Sequence, residues 1–109
     1  MTVEQLASAL SCEVLALPEP TRSVHGAYVG DLLSWVMGRA QPDQAWVTIM
    51  TNANTVAVAT LSDVSLILLA ENSEMSPETV ALAKEKGVNV LRSPSSAYEL
   101  CVAMGRLFS

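Results

Sequence analysis

The chain has 109 residues, half of them apolar and 16% charged, with a formal net charge of −5. This composition excludes a disordered chain and supplies enough apolar side chains for one core without metal or disulfide staples. It also argues against nucleic acid or an anionic membrane as partner. The basic residues Arg22, Arg39, Lys84, Lys86, Arg92 and Arg106 are scattered rather than gathered into a patch.

The first residues, MTVEQLASAL, contain an acid and no basic run, so they do not read as a signal peptide. The longest apolar run, Leu66 to Ala70, is too short to cross a bilayer. A cytoplasmic location is the expectation. Cys12 and Cys101 are too few for an iron–sulfur cluster or a four-thiolate zinc site, and in a reducing compartment they read as free core thiols.

Thr2 followed by Gln5 forms a capping box, and Val3, Leu6, Ala7 and Leu10 give the apolar stripe of a first helix. Cys12 to Leu17 reads as a short strand, which Pro18 and Pro20 end by opening an extended loop to His25. Gly26 and Gly30 bound a tight turn. Asp31 then caps a helix whose residues Leu32, Leu33, Val36, Met37 and Ala40 share one face. Trp35 leaves that face and lies between Asp31 and Arg39 at helical spacing. These three residues mark a candidate interface, since aromatic anchors dominate protein contacts. A loop such as Pro18–Pro20 folded over Trp35 is the competing reading.

Gln41-Pro42-Asp43 is turn chemistry, and Trp46 to Met50 is a strand. The run Thr55 to Leu61 has the alternation of a strand but the position of a helix. Leu66 to Ala70 resembles a strand buried on both faces of a parallel sheet, and parallel neighbours need a crossover of about a dozen residues. The gap between Met50 and Leu66 supplies it only if Asn54 to Ser62 is helical, and helix is the choice made. Ser76, Pro77 and Gly87 frame another helix, Val88 to Leu91 a strand, and Ser96 with Glu99 the start of a last helix. Ala97, Leu100, Cys101, Met104, Leu107 and Phe108 line the inner face of that helix. The order αβ, α, then βαβαβα predicts a single α/β domain with a mainly parallel sheet.

In such sheets ligands gather at the carboxyl ends of the strands. Three polar loops are predicted there: Thr51 to Asn54, Glu71 to Ser73, and Ser93 to Ser96. Thr51, Asn52 and Asn54 are the candidate ligand-binding residues. Helix capping is the plainer employment for Asn54, Ser76 and Ser96, and Asn52 is the residue hardest to explain that way. His25 is the only histidine and no nucleophile motif accompanies it. The acids form no close pair, and no metal-ligand spacing occurs. No catalytic constellation, metal site or cofactor is implied.

The stretches GAYVGDLLSWVM and AWVTIMTNANTVAVATL resemble the small DRTGG-domain proteins, stand-alone relatives of a module found between CBS domains in family II pyrophosphatases. They are also similar to the N-terminal domain of bacterial HPr kinase/phosphatase. The resemblance rests on Gly26, Tyr28, Val29, Asp31 to Ser34, Val36, Met37, Trp46, Thr48, Thr51, Asn54 and Val56 to Ala59, and continues through GVNVLRSPSSAYEL. It implies a compact three-layer α/β/α domain, a helix after Asn54, a homodimer, and a regulatory or ligand-sensing role with no established chemistry. It leaves three partner readings: a second copy, a small nucleotide-type ligand, or a redox or hydrogenase complex to which this chain is accessory. Some short relatives are named iron–sulfur-binding hydrogenases, a property that two cysteines cannot carry. Where the family commonly has Thr-Gly-Gly, this chain has Ala70-Glu71-Asn72, which weakens the case for a phosphate cradle.

Overall fold

The computed structural model describes residues 1–108. Five helices and five strands follow one another as α1 (Val3–Ala9), β1 (Glu13–Ala16), β2 (Ala27–Val29), α2 (Leu33–Arg39), β3 (Ala45–Thr48), α3 (Ala53–Ser62), β4 (Leu66–Leu69), α4 (Pro77–Glu85), β5 (Val90–Arg92) and α5 (Ala97–Phe108). The sheet order is β1-β5-β4-β3-β2. β2, β3, β4 and β5 run parallel, and β1 closes the far edge antiparallel to β5.

Strand alternation sends side chains into two cores. Trp46, Ile67, Leu69 and Val90 pack under α2, α3 and α4, against Val36, Ala40, Val56, Ala59 and Ala83. Ala45, Val47, Leu66, Leu68 and Leu91 pack under α1 and α5, against Val3, Leu6, Leu100 and Met104. β3 and β4 are buried at every residue, as strands covered on both faces must be. The result is the three-layer α/β/α arrangement with a mostly parallel sheet.

The crossover between β3 and β4 is helical, as the length of the gap demanded. Thr2 and Gln5 form the expected capping box at α1, and Ser76 caps α4 with Pro77 in its first turn. Ser96 and Glu99 exchange the two capping-box bonds at α5.

Several expectations are corrected. Gly26 to Gly30 is not only a turn. Between the glycines lies β2, paired with β3 from Ala27↔Ala45 to Val29↔Val47. A strand of three residues held from one side has little local signature, and tertiary pairing decides it. The helix α2 starts at Leu33 with Leu32 as N-cap and no side-chain cap bond, so Asp31 does not cap it. Its buried face is narrower than the periodicity implied: Leu32 is 61% exposed and Met37 49%. The strand β3 stops at Thr48, leaving Ile49 half exposed. Leu107 of α5 also reaches solvent.

Candidate functional site

The parallel register lines up Thr48 with Leu69 and Leu69 with Arg92. The loops after β3, β4 and β5 therefore leave the same edge of the sheet, where a ligand of an open α/β fold would sit. The first loop is fastened by Asp31. Its Oδ1 accepts from Thr48 Oγ1 at 2.7 Å and from the Ile49 amide at 3.0 Å, and Thr48 Oγ1 accepts from the Met50 amide at 3.2 Å.

Asn52, not Asn54, is the N-cap of α3. Its Oδ1 accepts from the Thr55 amide at 3.2 Å, with the buried Thr55 hydroxyl 3.4 Å away. The residue hardest to explain as a cap is the cap, because the helix begins one residue earlier than its sequence suggested. Asn54 stands exposed in the first turn and Thr51 is half-buried. The three candidate ligand residues thus share one turn, with the Asn52 carbonyl oxygen already engaged.

The second and third loops are sewn together. Glu71 and Asn72 both adopt left-handed backbone, with φ of 55° and 57°. Their amides donate to the carbonyls of Ser95 at 2.8 Å and Ser93 at 2.9 Å. Ser73 returns both its amide and its hydroxyl to Ala70 O, at 3.1 and 2.7 Å. The amides that would line an anion nest are spent inside the protein.

Of the candidate interface residues, Trp35 and Arg39 come together. The guanidinium carbon lies 3.9 Å from the indole centroid, a cation–π stack on the helix surface. Asp31 instead faces the β3 loop. Trp35 is 55% exposed, and the Pro18–Pro20 segment does not cover it. That segment is held elsewhere: Glu19 donates its amide to buried Asn89, whose Nδ2 donates to the carbonyls of Glu19 and Ser65 at 2.8 and 3.0 Å.

Sequence reasoning missed three features. Arg22 is a hub, donating to Asp63 Oδ1 at 2.8 Å and Asp43 Oδ1 at 3.2 Å, with Glu19 at 3.7 Å. Burial opposes its charge, yet the bonds and charges of Asp63 and Asp43 outweigh that cost and raise its pKa above the ordinary guanidinium value. The second feature is the extent of exposed apolar surface around α2 and α3 beyond Trp35 itself. Leu32, Trp35, Met37 and Leu61 are each about half exposed or more, Leu61 at 70%. The signal was available: no charged residue occurs between Ala53 and Ser62, which is unusual for a helix meeting water. The third is a groove of about 320 Å³ between α3 and α4, lined by Ala53, Val56, Ala57, Leu61, Leu82 and Lys86.

The DRTGG domain matches residues 5–107. The chain belongs to the DRTGG family. The fold agrees with the crystal structure of the CBS and DRTGG domains from the regulatory region of Clostridium perfringens pyrophosphatase, solved with its activator, diadenosine tetraphosphate. The two superpose with a TM-score of 0.74 at 16% identity, over 94% of this chain and 45% of that one. The chain thus spans less than half the length of that protein segment, and at this identity the likeness shows the fold alone. No curated protein sequence matches it.

In this DRTGG domain Glu71 and Asn72 hold consecutive left-handed backbone. The backbone shape is the one suited to glycine, and it is held here at the steric cost a side chain brings to positive φ. Among the described residues, no group of three His, Cys, Asp or Glu side chains could hold a metal ion. Among the same residues, no helix is long and apolar enough to cross a membrane.

Proposed function

We propose that this DRTGG domain is a non-enzymatic regulatory module that acts as a homodimer through the outer face of α2 and α3. One observation carries the reading: two adjacent helices expose Leu32, Trp35, Met37 and Leu61, while the only charge within either is Arg39. Exposed apolar side chains on helices with little charge of their own are what an interface core needs. For a molecule of net charge −5, helices that carry no acid within their own residues are also where two copies meet with less repulsion.

Sedimentation equilibrium tests it. The protein sediments as a dimer at micromolar concentration, and Leu61→Glu sediments as a monomer with unchanged circular dichroism. Tyr98→Glu, placed on α5 across the sheet, leaves the dimer intact. A wild-type chain that stays monomeric at millimolar concentration overturns the proposal.

A second reading, a sensor for a nucleotide-type ligand, draws support from the Thr51–Asn54 turn at the carboxyl edge and from the nucleotide activator bound by the pyrophosphatase region. Thermal shift with adenine nucleotides tests it. A ligand at about 100 times its dissociation constant stabilises the native state by about 2.7 kcal/mol, and Asn54→Ala removes that shift. Flat melting temperatures across adenine mono-, di- and dinucleoside polyphosphates overturn it.

A further inference from the structure

We infer that the groove between α3 and α4 binds a small apolar carboxylate, an aromatic or branched acid whose charge meets Lys86. The inference goes beyond the pairing proposed above and does not rest on it. The groove measures about 320 Å³, its larger walls are Val56, Leu61 and Leu82, and Thr60 and Lys86 are its polar residues. A concave, mainly apolar site with a few polar groups to fix orientation is the usual make-up of a small-molecule pocket. Ala53 and Ala57 lie one turn apart on α3 and are both exposed. Their small side chains leave the space that larger residues would fill. A cavity of about 150 Å³ holds a benzene ring, so this one takes two fused rings or a branched chain.

The position of the charge decides the class of ligand. α3 and α4 are successive crossovers between parallel strands, so they run in the same direction and bring Thr60 and Lys86 to one end of the groove. The same two residues line a smaller cavity beyond it. Lys86 is exposed and makes no ion pair among the described residues. The acids of the smaller cavity, Asp63 and Glu19, face Arg22 instead, at 2.8 and 3.7 Å. Thr60 spends its hydroxyl proton on Val56 O at 3.0 Å, so Lys86 supplies the donor. Lys84 adds a second exposed cation to α4. Its acids Glu78 and Glu85 are exposed and do not line the groove, and α3 contributes no acid. One free cation at the polar end of an apolar groove complements an apolar body that carries one negative charge.

Naphthoate is the probe, and naphthalenemethanol, its uncharged counterpart, separates charge from apolar contact. For about thirteen non-hydrogen atoms at ordinary ligand efficiency, the dissociation constant is about 1 mM. In amide NMR spectra of the full chain, the signals of α3 and of Leu82 to Lys86 shift and saturate, while those of α1 and α5 stay. The alcohol binds about threefold more weakly, the size of one exposed charge pair. In Lys86→Met, which keeps an apolar stem, acid and alcohol bind alike. Ala57→Leu fills the groove and weakens both by about tenfold or more. Both substitutions fall on exposed positions, and circular dichroism checks that each variant folds. Shifts that never saturate, an acid preference that survives Lys86→Met, or an affinity untouched by Ala57→Leu overturns the site. Leu61 belongs both to the groove and to the proposed pairing face, so the sedimentation state of each sample is recorded. Saturable shifts in a monomeric wild type sustain the groove although the pairing has failed. A wild-type dimer without them overturns the groove and leaves the pairing standing.

Discussion

On one side of the sheet α5 turns Tyr98, Glu99 and Arg106 to solvent, and α1 turns out Glu4, Gln5 and Ser8. On the other side α3 turns out Ala53, Asn54, Ala57, Thr60 and Leu61, with no charge among them. Both layers bury comparable inner faces against the same strands, so folding alone does not call for the difference. The α5 layer shows its apolar residues mixed with charges, as an ordinary amphipathic helix does, and α4 on the other side does the same with Glu78, Lys84 and Glu85, whereas α2 and α3 beside it withhold charge where water would reward it. The stability of the domain comes from the inside of both layers. The unusual chemistry is confined to the outside of α2 and α3.

The largest effect separates inside from outside across a single helix. Trp46 sits beneath α2 with no exposure, and Trp35 sits on its outer side at 55%. Trp46→Ala opens a cavity and leaves Gly30 O without its donor, and should cost about 4 kcal/mol in urea unfolding. Trp35→Ala, measured below the concentration at which copies pair, should stay within about 0.5 kcal/mol of wild type. Equal losses would mean that the outer face of α2 is part of the fold, and the contrast between the layers would collapse.

Next comes the tether at the end of α3. Arg22 holds Asp63, the left-handed C-cap of α3, and Asp43, itself at φ 68°. Arg22→Ala removes those bonds and leaves Glu19, Asp43 and Asp63 facing one another. Because the carboxylates are largely exposed, the loss should be about 1 kcal/mol and should shrink in molar salt. A loss that salt does not touch would assign Arg22 to packing through its stem instead.

How much was legible follows from how local each signal is. The caps at Thr2, Ser76 and Ser96 need partners three residues away, and all were read. The helix α3 was read from chain length, since two parallel strands cannot be joined without a crossover. β2 escaped because its pairing partner lies beyond α2, and Asp31 was misassigned because Thr48 and Ile49 are 17 and 18 residues distant. Helical periodicity correctly placed Val36 and Ala40 inside. It could not say that a seven-residue helix covers too little sheet to bury Leu32 and Met37 as well. In the candidate site, the shared edge was visible in strand direction, whereas the bonds that spend the Glu71 and Asn72 amides on Ser95 and Ser93 are tertiary.

That edge offers a gain rather than a loss. Glu71 holds φ 55°, where an L-residue is strained by about 1–2 kcal/mol and glycine is not. Glycine also loses more freedom on folding, so Glu71→Gly should stabilise the domain by only about 0.5–1 kcal/mol. Both amide bonds should persist in hydrogen exchange. A destabilised variant would show that the Glu71 side chain makes a contact worth more than its strain, and would return this loop to consideration as a site.

The smallest effect lies at the start of α5, on the conventional side of the molecule. Glu99 accepts from the Ser96 amide at 2.9 Å while Ser96 Oγ accepts from the Glu99 amide at 3.2 Å. The backbone bond from Ser96, aided by the bond to its side chain, draws the Glu99 pKa below its usual 4.5. A carboxyl group with a depressed folded value contributes stability that is full above 4.5 and is lost as pH falls through the lower folded value. Glu99→Gln keeps an oxygen to accept the Ser96 amide but cannot titrate. The difference between the two stability curves should therefore be flat above pH 5 and close in below it, as wild type loses its charged cap. No such convergence would mean that α5 is held by Leu100 and Met104 alone, and that its charged surface, like the uncharged surface of α3, owes nothing to folding.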